Sequence, residues 1–222
     1  DDKKLSDNNM IKLGFPSLST TIGQIPIDEA ARIACEVIKE FLNSHKNDLD
    51  FQLILIDQDD RVLNAFELEW EKFRDNEESR FQMKLGDFVE IMIETEIEYD
   101  LKFLSYFTWL KPGVTPLGKS LYDVIGSKLF EEIKRLYPDP GVVGEAYPVP
   151  IPSASEFYQG VKQIIYVISP NMNPSRSDPV SLDVAKNALK ESYQSMLNAF
   201  WTLKNGQQYT PRGQQSQEKR SA

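Results

Sequence analysis

The run FQLILID (51–57) constrains this chain more than any other segment. Leu53, Ile54, Leu55 and Ile56 leave neither face of a strand for water, so the strand must be covered on both sides. A chain built around it needs helices above and below a sheet. Its neighbours supply them. Ile27, Ala30, Ala31, Ala34, Val37, Ile38 and Phe41 recur at helical spacing and predict a helix over 27–43. Val62, Ala65, Phe66, Leu68, Trp70 and Phe73 predict a second over 60–74.

IKLGF (11–15), FQMKLGDFVEIMIE (81–94) and YDLKFLSYF (99–107) are strand-like. Thr115-Pro116 predicts the start of a helix carrying Leu117, Leu121, Val124, Ile125, Leu129, Ile133 and Leu136, which PDPG (138–141) ends. EAYPVPIP (145–152) is extended, and its prolines confine it to a sheet edge. KQIIYVIS (162–169) is another buried strand, and a last helix runs from Ser181 to near Leu203. The alternation predicts an α/β protein, a three-layer α/β/α arrangement around a mixed central sheet. Residues 10–204 form a single domain on this reading. Residues 1–9 and the Gln-, Ser- and Gly-rich stretch 205–222 are expected to be flexible tails.

Charge and composition exclude several functions. The 25 Lys and Arg against 34 Asp and Glu give a net charge of −9, with no basic cluster, which argues against nucleic acid as a direct ligand. The uninterrupted apolar runs fall far short of the roughly 20 residues a membrane span needs. One cysteine and one histidine exclude an internal disulfide and a zinc site, so no metal or cofactor is expected. Cys35 lies on the apolar side of a predicted helix and His45 at its end. These features predict a soluble protein of a reducing compartment, cytoplasmic or nuclear.

Two segments place small or hydroxyl residues between a strand and a helix, where free backbone N–H groups and the helix dipole favour an anion. The first, GFPSLSTTIGQIPIDEAA (14–31), offers Ser19, Thr20 and Thr21 as hydroxyl donors and Gly23 for close backbone approach. The second is LKPGVTPLGKSLYD (110–123). Neither has the spacing of a Walker A or dinucleotide-binding fingerprint.

Together the segments resemble a macrodomain. FPSLSTTIGQIPIDEAARIACEVIKEFL resembles the strand, phosphate loop and long helix of that family, and FQLILIDQDDRVLNAFELEW its last strand and helix. KLGDFVEI (84–91) is similar to its first strand pair, and LKPGVTPLGKSLYDVIG to its glycine-rich loop and helix. GEAYPVPIP, VKQIIYVISPNMNP and the helix containing SYQSMLNAF resemble the middle of the fold. The likeness covers about residues 10–204, with the family's closing segments first. That order looks like a circular permutation, RDNEESR (74–80) bridging the ancestral ends.

The resemblance implies a module that binds ADP-ribose, a related nucleotide or an ADP-ribosylated protein, without catalysis. It implies that Asp87, with Phe88 beside it, contacts adenine and that Ile56 walls the ring. Ser19, Thr20, Thr21, Ile22 and Gly23 would form one phosphate loop, and Gly113, Leu117 and Gly118 the other. Thr108 stands where the family has an asparagine on the distal ribose. Only Gly113 remains of a glycine triplet, and Thr21 replaces a favoured glycine, so the ligand loops read as degenerate. Two alternatives stand beside this reading: a protein-interaction scaffold with no nucleotide ligand, which the lost loop glycines favour, and a hydrolase of ADP-ribosyl esters or ADP-ribose phosphate, against which the missing asparagine counts.

Overall fold

The structure, a computed structural model, describes residues 10–21, 23–73, 79–88, 90–91, 102–107, 116–138, 141–151, 161–175 and 179–212, with the backbone alone for 102–107 and 116–118. Six strands form one sheet: β1 Ile11–Phe15, β2 Phe51–Asp57, β3 Phe81–Leu85, β4 Lys102–Phe107, β5 Ala146–Pro150 and β6 Gln163–Val167. Their order across the sheet is β3-β2-β1-β4-β6-β5. Every neighbouring pair is parallel except β5–β6, so the sheet is mixed with one antiparallel edge, as expected.

Five helices complete the described fold: α1 Ile27–Ser44, α2 Asp60–Glu71, α3 Pro116–Ile125, α4 Ser127–Leu136 and α5 Leu182–Lys204. Alternation along the strands divides them between two cores. Leu13, Phe15, Leu53, Leu55, Ile165 and Val167 face α1, α2 and α5. Ile54, Ile56, Ile164, Tyr166 and Ile168 face α3 and α4 through Leu121, Ile125, Leu129 and Ile133. The apolar run of β2 thus feeds both layers from alternate residues, which is why it carries no polar face.

Three boundaries differ from expectation. The strand expected over 81–94 pairs only as far as Leu85 opposite Asp57. Beyond it Asp87 caps a helical turn: its Oδ1 accepts the Glu90 N–H at 3.0 Å and its carbonyl the Ile91 N–H at 2.9 Å. Aspartate at a helix start outweighs the alternating pattern downstream. The helix expected from 116 through Leu136 is broken at Gly126, whose φ of 88° lies where a side chain would be strained. Finally, 205–212 lies against the body where a tail was expected. Tyr209 packs on the core, Pro211 is buried, and Arg212 pairs with the buried Glu145.

Candidate functional site

The sheet changes its winding direction between β1 and β4. From β1 the chain steps outward through β2 to β3, and then returns to the other side of β1 as β4. The chain leaving β1 enters α1 on one face, while α3, which follows β4, lies on the opposite face. Segments diverging from adjacent parallel strands open a crevice at their carboxyl ends, the usual ligand position in such sheets. The 16–26 loop and the start of α3 therefore belong to one edge of the molecule.

Two anchors hold the first loop across that edge. On the β2 side, Asp57 Oδ2 accepts the Ser17 hydroxyl at 2.5 Å and, more weakly, its N–H at 3.4 Å. Ser17 Oγ lies 2.6 Å from Thr20 Oγ1. On the β6 side, Ser19 Oγ donates to the Pro170 carbonyl at 2.7 Å and lies 2.8 Å from Ser169 Oγ. The Met172 N–H donates to the Gly23 carbonyl at 2.8 Å. Below the loop, the fully buried Tyr193 hydroxyl accepts the Leu18 N–H at 3.0 Å, and burial raises its phenol pKa well above the ordinary value. β4 lies between β1 and β6 in the sheet, so the loop bridges the mouth of the crevice.

This anchoring dictates an unusual backbone. Ser19 (φ 62°) and Gln24 (φ 55°) both occupy the left-handed region, which costs free energy for residues with a Cβ. At Gly23 an added Cβ would sit 2.7 Å from Ser19 Cβ and 2.8 Å from the Pro170 carbonyl oxygen. Among the described residues, the N–H groups of Ser19, Thr20, Thr21, Gly23 and Gln24 have no hydrogen-bond acceptor. Successive unsatisfied amides in a loop with left-handed residues form an anion-binding concavity. The amino terminus of α1, two residues beyond Ile25, adds its positive dipole end.

The expected site residues fall into distinct groups. Thr20 is half-buried, Thr21 exposed and Gly23 buried in the loop. Ser19 differs from expectation: it is 3% exposed and its hydroxyl is spent on Pro170, so only its backbone is available as a donor. Asp87 follows β3 at the same edge, and its Oδ2 accepts Gln58 Nε2 at 2.5 Å. Ile56 is 0% exposed and Phe88 4%, both in the core beneath Asp87. The expected ring wall at Ile56 is thus covered, because β2 needs that residue for the second layer. Leu117 and Gly118 lie in the first turn of α3. Ile22, Gly113 and Thr108 lie outside the described residues.

Several residues that hold the loop escaped the sequence reading. Asp57 ends β2 and links the 17–20 loop to the β3 end, since its carbonyl accepts the Gly86 N–H at 3.0 Å and its Oδ1 the Asp59 N–H at 3.1 Å. A lone carboxylate closing an apolar strand was the available signal. Ser17, Ser169 and Pro170 carried none, because their role depends on contacts 40 and 150 or more residues apart in the chain.

No family model matches the chain. Among curated proteins it is 27% identical over 207 residues to the transcription factor bHLH140 of Arabidopsis thaliana, a match covering 90% of this chain and 22% of that protein. The chain therefore spans about a fifth of that relative's length. Among solved structures it is similar to the Oryza sativa APL macrodomain in complex with ADP-ribose, with a TM-score of 0.77 and 27% identity over 90% of this chain and 98% of that one. It is also similar to an ADP-ribose-binding macrodomain of Dictyostelium discoideum, with a TM-score of 0.68 and 26% identity over 85% and 89% of the two chains.

Proposed function

We infer that this chain, which is a macrodomain, is an ADP-ribose-binding module whose ligand is free ADP-ribose or an ADP-ribosylated protein. The observation that carries the reading is the Ser19–Gln24 loop. It carries left-handed residues at Ser19 and Gln24 beside the switch point of the sheet, and its Ser19, Thr20, Thr21, Gly23 and Gln24 amides are backbone donors that no described residue satisfies. A pyrophosphate supplies acceptors for such donors. The net charge of −9 opposes an anion at long range, so affinity must come from these local dipoles. Asp87, beyond β3, is assigned to the adenine end as the family resemblance implies.

The strand order also supports reading the chain as a permuted macrodomain. β2 and β3, which the resemblance identifies as the family's last and first strands, lie side by side and parallel, joined through α2 and residues 72–80.

Calorimetric titration with ADP-ribose tests the assignment. Saturable binding is expected, weakened at least tenfold by Gly23→Ala and by Asp87→Ala in variants that melt cooperatively. The absence of heat at near-millimolar ligand would overturn it. One observation favours a second reading, a macrodomain that acts as a protein scaffold without nucleotide: the buried Ile56 and Phe88 leave their side chains little surface for a base. The same titration separates the two.

A further inference from the structure

Among the described residues, Asp57 is the one carboxylate hydrogen-bonded to the phosphate-loop candidate, an unexpected group beside a site for an anion. Its contacts set the direction of every hydroxyl proton it reaches. An ionised carboxylate has no proton to give, so across the 2.5 Å contact the Ser17 hydroxyl must donate. A hydroxyl carries one proton. Having spent it on Asp57, Ser17 Oγ can only accept across its 2.6 Å contact with Thr20 Oγ1. The Thr20 proton is therefore directed at Ser17, and this half-buried hydroxyl offers the crevice only lone pairs.

We infer that Asp57 is a positioning residue that sets selectivity: through Ser17 it fixes Thr20 as an acceptor at the rim of a cradle whose backbone groups are donors. This rests on the loop's being the phosphate site proposed above. A ligand that suits both halves presents phosphate oxygens to the amides and an alcohol proton to Thr20, which describes a sugar diphosphate. A bare anion meets the amides but also faces the Thr20 lone pairs and the Asp57 charge. Discrimination by the direction of a hydrogen bond is strong because a mismatched pair loses its bond and sets two acceptors against each other.

The experiment titrates the wild-type chain, Asp57→Asn, Thr20→Val and the double variant with ADP-ribose and with inorganic pyrophosphate. Asp57→Asn keeps the shape but adds an amide donor, so Ser17 donates to Thr20 and the Thr20 proton turns outward. Pyrophosphate affinity should then rise about tenfold, and the ratio favouring ADP-ribose should fall. In the Thr20→Val background the rise should be at least threefold smaller. An equal rise in both backgrounds overturns the inference, since removal of charge alone explains it. If ADP-ribose saturates none of the four proteins, the binding reading fails by itself. The relay is then decided by neutron diffraction of the ligand-free wild-type chain. A deuteron between Ser17 and Asp57 with another between Thr20 and Ser17 sustains it, and the reverse order overturns it.

Discussion

The two edges of the central sheet meet the same problem with opposite solutions. At the amino edge, carbonyls at and just beyond the end of α1 are covered by the chain's own cation. The Arg80 guanidinium, on a residue 9% exposed, donates to the carbonyls of Leu42 at 3.2 Å, His45 at 2.8 Å and Asp48 at 3.1 Å. Lys204, in the last turn of α5, places its ammonium 3.1 Å from Asp48 and 2.6 Å from Asp50. Around them the His45 ring lies 3.8 Å from that of Trp201, which also packs edge-on to Phe41 and Phe51. Cations at helix carboxyl ends complement the dipole, and the edge is closed.

The carboxyl edge presents the complementary pole and leaves it open. α1 begins there with Asp28 and Glu29 in its first turn, but the amides of Ser19, Thr20, Thr21, Gly23 and Gln24 before it have no acceptor among the described residues. Side-chain anchors on both flanks hold those amides in place and do not cap them. One edge thus spends its polar groups on stability, while the other spends them on holding donors ready.

Substitutions that break one edge and spare the other should measure this division, and the largest effect is expected where closure is most complete. Arg80→Ala strands three backbone carbonyls at and just beyond the end of α1 and removes packing over Phe51, so a loss of about 3 kcal/mol in denaturant unfolding is expected, with ADP-ribose affinity unchanged. An equal loss of affinity would mean that the edges are coupled. At the open edge, Gly23→Ala should cost about 2 kcal/mol of stability through the contact with Pro170 and Ser19, and reduce ligand affinity as well.

Tyr193→Phe should cost about 1–2 kcal/mol in a chemical melt, because the Leu18 N–H is left buried and unpaired. Its effect on affinity should be smaller than that of Gly23→Ala, since the anchors at Ser17 and Ser19 remain. A larger effect would make Tyr193 the main support of the loop.

Cys35, in α1 between the two edges, provides a control remote from both. Burial raises its thiol pKa to about 12. The unfolded thiol ionises near 8.5, so its contribution is full below that pH and is lost as pH climbs toward 12. At pH 10 the wild type should have lost roughly 1–2 kcal/mol more than Cys35→Ala, each relative to its own stability at pH 7. Parallel pH profiles would show that the thiol opens to solvent.

Legibility followed the range of the interactions. FQLILID, the spacing of Ile27 through Phe41 and the prolines of EAYPVPIP specify strand, helix and edge from near neighbours alone, and the structure places all three as expected. The stretch after Phe15 was legible as a loop because small and hydroxyl residues between a strand and a helix have local meaning. The fate of Ser19 was not. Its hydroxyl appears in the sequence as a donor for a ligand, but Pro170, some 150 positions away, takes its proton. Ile56 was read as the wall of a ring pocket, yet the second helix layer claims it, and the burial of a strand residue depends on what packs across the sheet.

What the order of residues determined is therefore the inventory: an α/β chain of apolar strands and amphipathic helices with two candidate loops for phosphate. Periodicity and turn chemistry act over a few residues and survive without the rest of the molecule. Only the tertiary structure decided that the chain reverses its winding at β1 and β4, that Asp57 lies against Ser17, and that, among the described residues, the amides of Ser19, Thr20, Thr21, Gly23 and Gln24 go without acceptors. Hydrogen-bond partners are allotted by proximity in space, and side chains far apart along the polypeptide become neighbours only when the sheet assembles.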